Sequence, residues 1–322
     1  MNDTIRRRFA VALLLGLGVL VGLPALAGAT GFTAHVAEVR ARAEAGHDLS
    51  NGDAVILGAV EGITEYLPIS STGHLLVTER LLDIGTGSDK DATDTYTVVI
   101  QVGAILAVLG IFWKRFWSMA EGVVGRSTEG RNTLISLVVA FIPAGIIGKV
   151  FGDSVKEHLL SPTPVAITWI IGGLVILVFV AQQARLVPRI DSVADIGVRN
   201  AAIIGVAQTL ALVPGTSRSL VTILAAMLLG VSMSAAVEFS FLLGFITLSA
   251  ATALELVQNG STMFDRFGVT APLIGIAVAG VTAFVSVKFM IEWLNRRGLA
   301  VFGWYRIAVG LLTIALVVGN RI

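Results

Sequence analysis

Apolar positions along this chain fall into long unbroken blocks, not a short alternation with polar ones. Six blocks are long enough to cross a bilayer as helices: roughly 96–113, 134–150, 165–183, 238–258, 270–292 and 302–319. Continuous runs of this kind argue against a strand-built barrel, whose strands alternate apolar and polar residues. Two further apolar stretches, about 53–82 and 199–232, are each interrupted near the middle by Pro, Gly and Ser. The interruption leaves arms of about 14 residues. An arm of that length reaches only about 21 Å as a helix, less than the thickness of the hydrocarbon.

Charge supplies the orientation. Segment 114–133 carries Lys114, Arg115, Arg126 and Arg131 against Glu121 and Glu129. Segment 184–200 carries Arg185, Arg189 and Arg199 against Asp191 and Asp195, and Arg296 and Arg297 follow the fifth block. By the positive-inside rule these three are cytoplasmic, which leaves 83–94, 151–163 and 259–269 outside. Parity then decides the interrupted stretches. Positions 199 and 234 both fall inside, so the second stretch starts and ends on one side. Both stretches are expected to be re-entrant helical hairpins with broken tips at mid-membrane. Irregular backbone is tolerated there only when buried in protein or lining a wet cavity.

An inverted repeat follows from the count. Each half, 53–183 and 199–319, is one hairpin plus three spans, and an odd number of crossings inverts the second half. Gly58-Ala59-Val60-Glu61 resembles Gly205-Val206-Ala207-Gln208, and Pro68-Ile69-Ser70-Ser71 resembles Pro214-Gly215-Thr216-Ser217. Such repeats place a site at the midplane where the broken helices meet. The expected fold is therefore an all-α integral membrane protein with a single membrane domain over 53–322. Residues 1–52 stand apart. Arg6-Arg7-Arg8 precedes an apolar run to about Ala29, with Ala25-Leu26-Ala27 resembling a signal-peptidase site. This reads either as a cleaved signal peptide or as an extra N-terminal hydrophobic helix, followed by an external surface helix over 31–52.

Composition agrees. Mean hydropathy is +0.85 and only 14% of residues are charged, well below an ordinary soluble domain. With no cysteine, disulfides, thiolate chemistry and zinc–thiolate sites are excluded. The net charge of +1 gives no sign of a nucleic-acid surface.

The candidate chemistry sits at the two interruptions. Glu61 and Glu65 are one helical turn apart and share a face. Two close carboxylates in low dielectric need a cation beside them or a shared proton. A hard divalent ion, Mg²⁺ or Ca²⁺, fits the first option, with carboxylate, hydroxyl and phosphate oxygens as ligands. Pro68 through Gly73 break the helix and free backbone N–H groups at the next helix start, where anions bind. Ser70, Ser71 and Thr72 add donors, and one of them is expected simply to cap the helix. His74, three residues after Ser71, is either a base beside a hydroxyl nucleophile or a neutral hydrogen-bonded residue. Arg218, flanked by Ser217 and Ser219, is always charged. It must hold a substrate phosphate, pair with Glu61 or Glu65, or do each in turn. Glu238 suits the start of a helix dipole. Gln101 and Gln208 are placed near the site, and Lys288, Glu292, Trp113 and Trp117 at the interface.

Glu61-Gly62-Ile63-Thr64-Glu65-Tyr66-Leu67-Pro68-Ile69-Ser70-Ser71-Thr72-Gly73-His74 resembles the acidic motif of the bacterial undecaprenyl-diphosphate phosphatase family of the bacitracin-resistance type. Pro214-Gly215-Thr216-Ser217-Arg218-Ser219, Glu238-Phe239-Ser240-Phe241-Leu242-Leu243 and Val98-Val99-Ile100-Gln101-Val102-Gly103 match it too. The resemblance covers about 53–320. It implies hydrolysis of undecaprenyl diphosphate to the monophosphate and inorganic phosphate, with a divalent cation, recycling the lipid carrier of the bacterial cell envelope. By the same resemblance Glu61 and Glu65 are the acidic pair, Ser71 and His74 the candidate nucleophile and base, and Arg218 the phosphate-binding arginine. Ser71 would attack with His74 or Glu65 as its base, or His74 would itself attack or activate water. Ser70, Thr72, Gly73, Ser217 and Ser219 are expected to contact the substrate. The implied location is the inner (plasma) membrane, with the site opening to the outer face. Expected partners are the lipid substrate, the bilayer and, as an option, a second copy in a homodimer. Two positions depart from the family's usual residues: Leu220, where Gly is usual, and Gly244-Phe245-Ile246, where a Pro is usual. The competing reading is a transporter or flippase of a lipid phosphate or organic anion, since inverted repeats and broken helices are also transporter features.

Overall fold

The computed structural model describes residues 49–85, 89–184 and 186–322. The N-terminal expectations, signal peptide or extra helix and the external helix after it, lie outside the described residues. Twelve α-helices make up nearly all of the described chain: α1 (Asn51–Thr64), α2 (Ser71–Leu82), α3 (Lys90–Val99), α4 (Gln101–Ile111), α5 (Trp113–Val123), α6 (Thr128–Leu159), α7 (Pro162–Gln183), α8 (Gly197–Gln208), α9 (Arg218–Leu228), α10 (Met233–Phe267), α11 (Thr270–Arg297) and α12 (Ala300–Val318). No strand occurs among the described residues, only an isolated bridge between Ile190 and Val231.

Six segments are long and apolar enough to cross a membrane: Lys90–Ile111, Thr128–Gly152, Pro162–Gln183, Met233–Phe267, Thr270–Leu294 and Ala300–Val318. Each contains most of one expected block. The first is α3 and α4 run together through a tightened turn, where Gly103 N donates to Ile100 O at 3.1 Å. Several helices outrun the apolar block that predicted them. α10 continues through Gln258 and Arg266 to Phe267, a segment expected as an external loop, and 114–133 is largely taken up by α5 and the start of α6. The reason is physical. Hydropathy reports the thickness of the hydrocarbon, whereas the i to i−4 ladder continues into the headgroup region as long as its polar side chains stay solvated. Trp113 and Trp117 on α5 are exposed, as interfacial anchors require. Arg266 forks onto Asp89 at 2.8 and 3.1 Å, tying the end of α10 to the start of α3.

The interrupted stretches are two short helix pairs, α1–α2 and α8–α9, whose arms pack on each other. The ends of each pair lie together. Leu49 and Ile84 share one buried cluster. Arg189 N donates to Gly230 O at 2.7 Å, and Ser232 N to Ile190 O at 2.9 Å. The pairs then pack in a crossed pattern: α1 lies along α11 and α8 along α6, while α7 and α12 lie along each other. The first of these contacts is backbone on backbone. A Cβ at Gly62 would stand 2.3 Å from Ala279 O and 2.8 Å from Ala283 N. Small residues at such seams let membrane helices gain dispersion contacts that apolar burial alone does not provide.

Candidate active site

The site forms where the two interruptions meet. α1 starts with a capping box, in which Ser50 and Asp53 serve each other's backbone N–H groups at 3.2 and 3.1 Å. It carries Glu61 fully buried on its last turn, and Glu65 is its C-cap. The chain then crosses Tyr66–Ser70 and starts α2 at Ser71. On the other side it leaves α8 through a short 3₁₀ turn (Thr209–Leu212), crosses Val213–Ser217 and starts α9 at Arg218. Ser70 (φ 72°, ψ 104°) and Ser217 (φ 73°, ψ 113°) hold the same left-handed backbone immediately before the second arm. For a residue with a Cβ, each such conformation costs of order 1–3 kcal/mol and persists only when the surroundings enforce it. By this geometry Ser70, and not Ser71, holds the same local position as Ser217, one residue out of step with the resemblance of Pro68–Ser71 to Pro214–Ser217.

Glu65 is the hub. One carboxylate oxygen accepts from Arg218 Nη2 at 2.6 Å, and the other accepts a short hydrogen bond from Ser71 Oγ. Arg218 also lies 5.9 Å from the centre of the Tyr66 ring and reaches Ser240 O at 3.4 Å. Its guanidinium occupies space that only a glycine leaves free, because a Cβ at Gly244 would lie 2.1 Å from Nη1. The departure at 244–246 therefore has a local consequence, and α10 passes through it without a break. Glu61 lies beside Glu65, within electrostatic range of it and of Arg218. Both of its oxygens are buried without a donor.

His74 is not joined to Ser71. Its Nδ1 meets Ser70 O at 2.7 Å and its Nε2 meets Tyr305 Oη at 2.8 Å. A carbonyl only accepts, so Nδ1 carries the proton, and in the neutral ring Nε2 accepts from the tyrosine. The ring lies nearly parallel to that of Tyr305, 5.7 Å away. Of the two candidate bases for Ser71, the geometry brings Glu65 to the hydroxyl. Ser217 and Ser219 are also turned inward. Their hydroxyls lie 3.0 Å apart and approach Leu67 O at 3.4 and 2.9 Å, and Ser217 Oγ caps Leu220 N at 3.3 Å. They tie the two interruptions together. Gly73 backs onto Trp169, where a Cβ would lie 2.5 Å from the ring. Thr72 is exposed, while Ser70 is buried. Leu220 packs into the main core.

Away from this centre, Glu238 does more than complement a dipole, since it takes Arg115 Nε at 2.5 Å, and Arg115 also holds Glu129 at 2.5 Å. Gln208 is buried and reaches Ala140 O at 3.5 Å. Sequence reasoning missed Tyr305, Trp169 and Arg306. The last carried a readable signal, being a lone charge inside an apolar span. The other two look like ordinary interfacial or core aromatics until the chain is folded.

The model of the bacitracin resistance protein BacA family matches residues 54–312, which is most of the chain. The chain belongs to the BacA family. Among relatives of this BacA-family chain, the undecaprenyl-diphosphatase of Sorangium cellulosum is 41% identical over 269 residues, covering 82% of this chain and 85% of that protein. The undecaprenyl-diphosphatase of Bradyrhizobium diazoefficiens is 42% identical over 269 residues, 83% of this chain and 98% of the relative. Undecaprenyl-diphosphatase 1 of Acinetobacter baylyi is 42% identical over 259 residues, 80% and 93%.

Proposed function

We propose that this BacA-family protein hydrolyses undecaprenyl diphosphate to undecaprenyl phosphate and inorganic phosphate. The observation that carries the reading is the triad Ser71–Glu65–Arg218, a hydroxyl bonded to a buried carboxylate that an arginine also holds. The names of its relatives point the same way. A carrier of lipid phosphates has no use for a hydroxyl paired with a base.

In this reading Arg218 leaves part of its contact with Glu65 to bind the diphosphate, and free N–H groups at the start of α2 hold the terminal phosphoryl group. Ser71 Oγ attacks the terminal phosphorus as Glu65 takes its proton, and the bond to the bridging oxygen breaks, releasing the lipid monophosphate. Glu65 gives that proton to the departing monophosphate or to solvent. It then takes a proton from the water that attacks the phosphoserine and passes it to Ser71 Oγ as the P–O bond breaks, releasing phosphate and restoring the hydroxyl. Positioning and charge stabilisation carry most of the rate in phosphoryl transfer. His74, with its Nδ1 proton held by Ser70 O, fixes the entry to α2.

A divalent cation, Mg²⁺ or Ca²⁺, belongs to the proposal. The two donorless oxygens of Glu61 beside Glu65 suit one. Among the described residues no group of three or more His, Cys, Asp or Glu converges, so remaining ligands would be phosphate and water oxygens, as Mg²⁺ tolerates. When bound, the ion would neutralise charge on the phosphates.

We also infer that α1–α2 and α8–α9 are re-entrant hairpins in inverted halves. In support, both ends of each pair lie together, the packing is crossed, and Ser70 and Ser217 share a backbone geometry. With the basic segments inside, the multi-pass protein sits in the inner membrane and its site opens to the outer face. The deciding assay is phosphate release from undecaprenyl diphosphate by the purified protein in detergent, with Mg²⁺ or Ca²⁺ and with chelator, beside Ser71→Ala. Chelator-sensitive release that collapses in the variant is expected. No release under either metal, from protein that still binds the lipid, would sink the assignment.

A further inference from the structure

Arg306 is the only charged residue of α12 and is 1% exposed. A guanidinium in such a place is costly unless its donors are satisfied. Here they meet main-chain carbonyls. Nη1 donates to Pro68 O at 3.2 Å, and Nη2 to Gly215 O at 2.8 Å and Thr168 O at 3.2 Å. Nε reaches Trp169 O at 3.4 Å. Pro68 lies in the first interruption and Gly215, at φ 88°, in the second. One side chain thus holds both breaks at once and anchors them to α7. The space for it is reserved, since a Cβ at Gly172 would lie 2.2 Å from Nη2.

The carbonyls of an interrupted helix have lost their ladder partners and need donors from elsewhere. In the first interruption side chains supply donors to the four carbonyls from Leu67 to Ser70. Leu67 O takes Ser219 Oγ, Pro68 O takes Arg306, Ile69 O takes Trp169 Nε1 at 2.7 Å and Ser70 O takes His74. Among these only Arg306 also holds a carbonyl of the second interruption. A planar fork of five donors can serve two loops in one geometry, which a lysine ammonium on a flexible stem does not reproduce.

We propose that Arg306 is a positioning residue that sets the two interruptions in register, so that Ser71 on one and Arg218 on the other act on the same phosphate. It rests on the phosphatase reading above. Its effect passes through the Pro68 and Gly215 carbonyls, without contact to the reacting atoms. Displacements of about 1 Å between reacting groups cost roughly 100-fold in rate, so register should appear in kcat more than in KM.

The test is steady-state phosphate release from undecaprenyl diphosphate by detergent-purified parent, Arg306→Lys and Arg306→Gln, with gel-filtration profile and unfolding temperature recorded for each. A parent that releases no phosphate would count against the phosphatase reading and leave the register to be read from binding of the lipid. In an active parent, Arg306→Gln is expected to lose about 100-fold in kcat, with a smaller change in KM. Arg306→Lys should fall between the two. Parental kcat in Arg306→Gln overturns the proposal. So does full activity in Arg306→Lys, which would make charge sufficient, or a rise in KM alone, which would make Arg306 a binding charge. Failure of both variants to yield folded protein would assign Arg306 to general stability instead.

Discussion

At the scale of single residues, the site centres on Glu65, which bonds both Arg218 and Ser71, beside a Glu61 whose oxygens meet no donor. Arg218→Ala removes the only cation bonded to Glu65 among the described residues and is expected to abolish phosphate release while the protein still elutes as a folded species. Near-parental turnover in that variant would remove Arg218 from the site. Glu65→Gln keeps the shape but removes the carboxylate that Ser71 bonds. It should lose at least about 100-fold in kcat, the usual contribution of a positioned general base, and more than His74→Gln does, because Ser71 bonds to Glu65 while His74 faces Ser70 O and Tyr305. The reverse order in parallel assays would restore His74 as the base. Gly244→Ala is the most local probe of all. Its Cβ would press on the flexible end of Arg218 and not on backbone, so kcat should fall with little change in unfolding temperature.

Elements are held together by seams of small residues and by the interruptions themselves. At Gly62 an added methyl group meets the backbone of α11, with nothing flexible to give way except Thr282. Gly62→Ala should therefore destabilise the protein by about 1–3 kcal/mol, the usual cost of overpacking. A lowered unfolding temperature in detergent would register it, and an unchanged one would mean that α1 is free to shift. The helices themselves follow from apolar runs that the sequence displays openly. Where they end does not, as α10 and α6 both run on past their apolar blocks into polar sequence.

For the whole molecule, orientation is the testable quantity. The chain has no cysteine, so single cysteines report cleanly. A cysteine replacing Gly125 and one replacing Gly230 should react with a membrane-impermeant maleimide only after the membrane is opened, and one replacing Gly268 should react in intact cells. Labelling of position 230 from outside would remove the re-entrant reading of α8–α9. The same experiment tests the inverted halves, since the α8–α9 pair must begin and end inside.

What the sequence determined by itself was the class of protein, its six apolar spans, and the two places where apolar helices break around carboxylates, hydroxyls and an arginine. These are local properties. Hydrophobic run length, charge bias and Pro-Gly-Ser interruptions act over tens of residues or fewer and need no partner to be read. Family membership was legible for the same reason, since motifs are contiguous. The tertiary structure alone decided which groups meet. It brought Arg218 across 153 positions to Glu65, gave Ser71 to Glu65 and not to His74, turned Ser217 and Ser219 toward Leu67 O, and set Arg306 from the last helix between both breaks. Contacts between segments far apart in the chain depend on packing and on which carbonyls the breaks leave without partners, and neither is written in any one stretch of residues.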